Sequence, residues 1–177
     1  MKTLTQHLCN YAAYHRDSRN ILTHFFGVPP IVLAVVILLS RPAYAVGGWP
    51  ASPAVWLALA AAVFYLRLDV KLGAALAAFL AACVYVGTVC AAQSTVSWLA
   101  WGLGLFIAGW VVQFVGHYFE GRKPAFVDDV MGLLIGPVFV AAELAFLLGL
   151  RRPLEAAVSA QAGCVQQRSG WAPTPKH

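Results

Sequence analysis

Charge is what this chain has least of. Only 11% of its 177 residues are charged and just 7 are acidic, where a soluble domain carries about 25% charged residues. Hydrophobic residues make up 60%, against roughly 45–50% in ordinary globular chains. That balance excludes a water-soluble domain and points to an integral membrane protein. The net charge of +5 comes from 12 Lys and Arg residues scattered between apolar runs. They form no basic stripe with interleaved aromatics, so nucleic acid is not an expected partner; they read as membrane-topology signals. The four cysteines, Cys9, Cys83, Cys90 and Cys164, show no CxxC and no paired spacing, which excludes a zinc ribbon or a disulfide framework. Cys83 and Cys90 lie two turns apart in an Ala-rich run and read as helix-packing residues. Met1–His7 lacks the basic and apolar regions of a cleaved signal peptide, so the first apolar span is expected to direct insertion. No linker or repeat divides the chain. One membrane-embedded catalytic domain is expected over 1–155, with a polar, disordered tail over 156–177. The missing repeat also argues against an inverted-repeat transporter.

What is present is a series of apolar spans. Thr3 to Tyr14 places Leu4, Leu8 and Tyr11 on one side, an amphipathic helix expected to lie on the membrane or cap the bundle. Asp17-Ser18 then offers N-cap residues for a first span over about 20–40, bent by Pro29-Pro30. A Pro/Gly loop, Arg41 to Pro53, precedes a short span of about 54–66, less than the roughly 20 residues a bilayer needs. Arg67-Leu68-Asp69-Val70-Lys71 forms a charged turn into the cleanest span, 72–92. A polar turn, 93–97, leads to a fourth span at about 96–119. The last apolar stretch, 130–150, contains Gly136-Pro137. A full crossing would put Arg151 and Arg152 outside, so a re-entrant pair of half-helices broken at Gly136-Pro137 is the favoured expectation. The fold class is all-α: an integral membrane helical bundle of four to five transmembrane or re-entrant helices plus the N-terminal amphipathic helix.

Within the fourth span, Gln113, His117 and Glu120 fall within about 60° on a helix, a polar stripe that is costly in lipid and therefore a functional suspect. With the N-terminus inside, His24 near the start of an outward span and His117 near the end of an inward one share the cytoplasmic face, where His15 joins them. His15 and His24 would lie about 180° apart on one continuous helix. They converge only if the chain breaks between them, as Asp17-Ser18 allows, and Asn20 then shares the face of His24. Three histidines so gathered suit iron, zinc or copper. Glu120 and Glu143 are nearby carboxylates, and Glu143, in an apolar stretch, must be paired, protonated or metal-bound. The competing readings are plain ones. His7 and His177 read as interfacial hydrogen-bonding residues, Gln113 could join two helices, and Arg122 and Lys123 could contact lipid phosphate or hold a substrate carboxylate.

Two motifs carry a resemblance. Tyr14-His15-x4-Asn20-x3-His24-x2-Gly27-Val28-Pro29 and Trp110-x2-Gln113-Phe114-x-Gly116-His117-x2-Phe119-Glu120-x3-Pro124-Ala125, followed by Gly136-Pro137-Val138-Phe139-x3-Glu143, resemble the 2-hydroxy fatty acid dioxygenase family over about residues 1–150. Asp17-Ser18 departs from the Asn-Pro-like turn of that pattern but serves the same capping purpose. The resemblance implies an Fe(II)-dependent membrane oxidoreductase of fatty acid α-oxidation, removing one carbon from a 2-hydroxy fatty acid with O2. It implies His15, His24 and His117 as iron ligands, with Glu120 or Glu143 orienting a histidine or ligating directly. Asn20 and Gln113 are further candidate catalytic residues, and Arg122 and Lys123 candidate substrate contacts. Lipid substrate is expected to enter sideways between Ala-rich helices. The Ala-rich composition suggests a bacterial plasma membrane; a eukaryotic member would sit in the endoplasmic reticulum. Other readings remain: a different metal-dependent lipid enzyme, or a non-enzymatic scaffold or transporter. Histidine-box hydroxylases need far more than the 5 histidines present.

Overall fold

Leu4, Leu8 and Tyr11 are buried along one side of the first helix, α1 (Leu4–Ala12), which opens with a capping box between Thr3 and Gln6. The computed structural model describes residues 2–41, 43–46, 49–125 and 129–167. After α1 come α2 (Ser18–Leu39), a two-stranded antiparallel ribbon of β1 (Tyr44–Val46) and β2 (Trp49–Ala51), α3 (Pro53–Leu68), α4 (Val70–Ala91), α5 (Thr95–Glu120), α6 (Met131–Leu147) and α7 (Arg152–Ala162). The all-helical membrane bundle expected from composition is what forms; the ribbon occupies part of the stretch read as a plain Pro/Gly loop. Helices α2, α4 and α5 are long and apolar enough to cross a bilayer. Helix α3, with 16 residues, spans about 24 Å at 1.5 Å per residue, short of the roughly 30 Å hydrocarbon core.

Two compact units form. The second, Pro29–Trp110, is built on the α3–α4 hairpin. Its turn is set by Asp69, whose carboxylate accepts the Lys71 and Leu72 N–H groups at 3.0 and 2.9 Å. Gly73 permits the close approach: a Cβ there would meet the Tyr65–Leu66 backbone at 2.6 Å. Val36, Ala54 and Cys83 make its buried cluster, so Cys83 packs as a small hydrophobe. Arg41 closes the α4–α5 connection, donating to Ala91 O at 2.8 Å and lying over the Trp98 ring.

The first unit comprises the described residues of 1–28 and 111–177 and carries every candidate site residue. Helix α2 begins as its capping residues suggest, with Asp17 Oδ1 accepting the Arg19 N–H at 2.9 Å. Two expectations are corrected here. Helix α6 runs unbroken through Gly136-Pro137. One proline costs a single backbone bond, whereas a break inside an apolar segment orphans several; Gly136 also lets α6 pass close to Tyr11. The chain turns instead at the end of α6, where Gly149 (φ 71°) and Arg151 (φ 59°) are left-handed. There Leu150 N–H reaches Ala145 O and Gly149 N–H reaches Phe146 O, both at 2.8 Å, the Schellman pattern. Helix α7 leaves at 116° to α6. The second correction concerns the tail expected to be disordered from about Ala156: residues up to Ala162 are helical, because α7 buries Val158 and packs on α1. Residues 168–177 of that tail lie outside the described residues.

Candidate metal centre

The five residues between α1 and α2 do what the sequence requires of them: they break the helix so that His15 and His24 meet. His24 projects from the first turns of α2 and His117 from the last turn of α5. The three rings pack mutually edge to face, with centroids 4.4 Å (His15–His24), 5.0 Å (His15–His117) and 5.4 Å (His24–His117) apart. All three are buried. One nitrogen from each lies within 4.8 Å of the others. Two nitrogens sharing one ion sit at most about 4.2 Å apart at metal–nitrogen distances near 2.1 Å, so small ring movements bring the set onto a metal.

Backbone carbonyls decide the tautomers. His15 Nδ1 lies 2.7 Å from Tyr11 O and His24 Nδ1 lies 2.8 Å from Asn20 O. A carbonyl only accepts, so both Nδ1 atoms carry the proton and both Nε2 atoms present a lone pair. His15 Nε2 and His117 Nδ1 are buried with no hydrogen-bond partner. His117 has a hydrogen-bond partner in the Arg122 backbone. Burial, then the nearness of His24, keeps the His15 imidazole well below its ordinary range, so it is neutral at physiological pH. Buried nitrogens with bare lone pairs, oriented from behind and aimed at one another, are what a metal needs and what a dry core penalises. The residues fit the ion.

The carboxylates are placed elsewhere than on the histidines. Glu120 accepts the Arg16 N–H on both oxygens, at 3.0 and 3.1 Å, the Asp17 N–H at 2.9 Å and the Asn20 amide at 3.0 Å. It is the anchor of the His15 loop, while Tyr11 O and Asn20 O do the orienting expected of a carboxylate. Glu143 pairs with Arg16 at 3.4 Å, which answers how a carboxylate survives in an apolar helix. Asn20 Oδ1 and Gln113 Nε2 are both buried without partners. Arg122 is exposed and donates to Ala13 O at 2.9 Å; Lys123 is exposed.

Two residues of this site escape a reading of the sequence. Arg16, whose sequence context marks it only as a topology charge, is buried: its Nε donates to Ala12 O and His15 O at 2.9 and 3.0 Å and its Nη1 to Gly163 O at 3.0 Å. Tyr11, one turn before His15, stacks flat on it at 4.2 Å with 4° between planes. Burial raises its phenol, which stays protonated. A cavity of about 320 Å³ opens beside Tyr11, lined also by Lys2, His7, Asn10, Tyr14 and Asp129.

Residues 1–148 match the family described as 2-hydroxy-palmitic acid dioxygenase Mpo1-like. This chain belongs to that family. It is similar to the 2-hydroxy-palmitic acid dioxygenase MPO1 of Saccharomyces cerevisiae, 31% identical over 148 residues that cover 82% of each protein. No solved structure matches the chain. The Mpo1-like region takes in the three histidines, Arg16, Glu120 and Glu143, and ends before α7.

Proposed function

We propose that this chain is an Fe(II)-dependent dioxygenase that shortens a 2-hydroxy fatty acid by one carbon within its membrane. The observation that carries the proposal is the buried three-imidazole set in a member of the Mpo1-like family, with His15 Nε2 and His117 Nδ1 left without hydrogen-bond partners. The overall change balances as R-CHOH-COOH + O2 → R-COOH + CO2 + H2O. The acid gives up four electrons and one O2 takes them, so no further reductant is required. Bound iron(II) would supply the redox centre at which O2 and the 2-hydroxy acid meet.

The chain's own groups set the conditions. His15, His24 and His117 would hold the ion as neutral ligands, leaving its two positive charges uncompensated. Glu120 is occupied by N–H donors and Glu143 by Arg16, so an anionic substrate carboxylate has no protein rival. Tyr11 covers His15 and keeps water from that face. Gln113, one turn from His117 on the same side of α5, has an unpartnered N–H2 to offer a substrate oxygen. Arg122 is bound to Ala13 O, and Ala13 lines the cavity beside Tyr11, a position from which a guanidinium can draw a carboxylate inward. Asn20, Glu120 and Glu143 serve as positioning residues.

The test is oxygen uptake by the detergent-purified, iron-supplemented protein on adding 2-hydroxypalmitate, with the products identified by mass. The expected result is one O2 consumed for each pentadecanoic acid and CO2 formed, and none with palmitate. Bound iron without uptake would keep the metal centre and overturn the substrate.

A further inference from the structure

We propose that the C-terminal segment 163–166, carried there by α7, is a strap that positions His15 for metal binding. It lies beyond the residues matched to the family, and the proposal rests on the metal-centre reading above. The loop that delivers His15 has two backbone edges. Glu120 holds one through the Arg16 and Asp17 N–H groups. The strap holds the other: the Gln166 N–H donates to Arg16 O at 2.7 Å, and Gln166 O accepts the Ser18 N–H at 3.0 Å. Asp17 and Gln166 thereby form a parallel bridge, a single rung of sheet laid across the break between two ligand histidines.

A second tie runs through Arg16. Its guanidinium takes Gly163 O on one side and the carbonyls of Ala12 and His15 on the other, so His15's own carbonyl is tethered through one side chain to the strap. Helix α7 fixes the strap's starting point by burying Val158 and packing on α1, the helix whose Tyr11 stacks on His15. Without the strap, the two backbone bonds to Gln166 are gone, Arg16 loses the Gly163 acceptor, and the loop loses the restraint on this edge. Gathering three imidazoles on an ion then requires ordering that the full chain supplies in advance.

The test compares Gln166→Pro with Gln166→Ala in the full chain. Both lose the same side chain, and only proline loses the N–H that bonds Arg16 O. Cobalt(II) affinity is measured by competition with a chelator in detergent, and a chain ending at Ala162, which keeps α7, serves as a second variant. Expected is at least about tenfold weaker binding for Gln166→Pro than for Gln166→Ala, the size of effect seen when groups behind metal ligands are removed. A similar loss is expected for the shortened chain. Equal affinities of the two Gln166 variants, with the shortened chain matching the wild type, would overturn the strap and leave the metal centre standing. No cobalt on the wild-type chain would overturn both.

Discussion

Replacing Gly116 by alanine is expected to destabilise the protein by roughly 3 kcal/mol and to strip it of metal. A Cβ there would overlap Thr23 Oγ1 and come within 2.5 Å of Asn20 Oδ1. Neither neighbour can swing away. Thr23 Oγ1 donates to Asn20 O at 2.7 Å, and the Asn20 amide is held by Glu120 and by Tyr14 O. The relief available is the better helix propensity of alanine, about 1 kcal/mol, so the clash wins. The helices must then separate where His24 and His117 face each other. Gly104→Ala on the same helix is the control, since a Cβ there meets nothing within 4 Å; it should be neutral or slightly stabilising. Denaturant unfolding of both variants in detergent checks the pair. A Gly116→Ala protein as stable as Gly104→Ala would contradict the close packing.

Glu120→Ala should be comparably severe, because the Glu120 carboxylate is the acceptor for the His15 loop. The change removes the carboxylate that now accepts two backbone N–H groups and one Asn20 amide N–H in a buried loop, while the amide keeps its bond to Tyr14 O. Each such loss costs about 1–3 kcal/mol. Partial solvation and release of the buried charge offset some of this, leaving roughly 3 kcal/mol. Glu120→Gln keeps one carbonyl oxygen and should fall between. Iron retention should follow the same order with all three histidines in place. Unchanged stability with unchanged iron in Glu120→Ala would remove Glu120 as the anchor of the loop.

These two residues show what a sequence can and cannot disclose here. The spans were legible because hydropathy changes abruptly at charged turns: the expected 54–66, 72–92 and 96–119 appear as Pro53–Leu68, Val70–Ala91 and Thr95–Glu120. The histidine set was legible because Asp17-Ser18 is a local stop and cap, and local signals suffice to bend the chain between His15 and His24. The partners of the carboxylates were not legible. Glu120 lies 104 positions from Arg16 and Glu143 lies 127, and no periodicity or spacing encodes which buried cation a buried anion will meet. Arg16 looked like one more topology charge because its acceptors are mostly backbone carbonyls, which every residue has. Gly136-Pro137 misled for a related reason: local breaker chemistry was overridden by the need to keep an apolar helix's backbone paired. Helix α7 is weakly apolar and became a helix through its packing on α1, a tertiary contact.

The measurement that reaches the centre most directly is iron per chain in the purified protein beside His15→Ala, His24→Ala and His117→Ala, each reconstituted anaerobically with iron(II). About one iron per wild-type chain, lost in each variant while the helical content and detergent-solubilised size stay unchanged, is the expected result. Full iron retained in any one variant would remove that histidine from the ligand set, and no iron on the wild-type chain would contradict the metal centre itself.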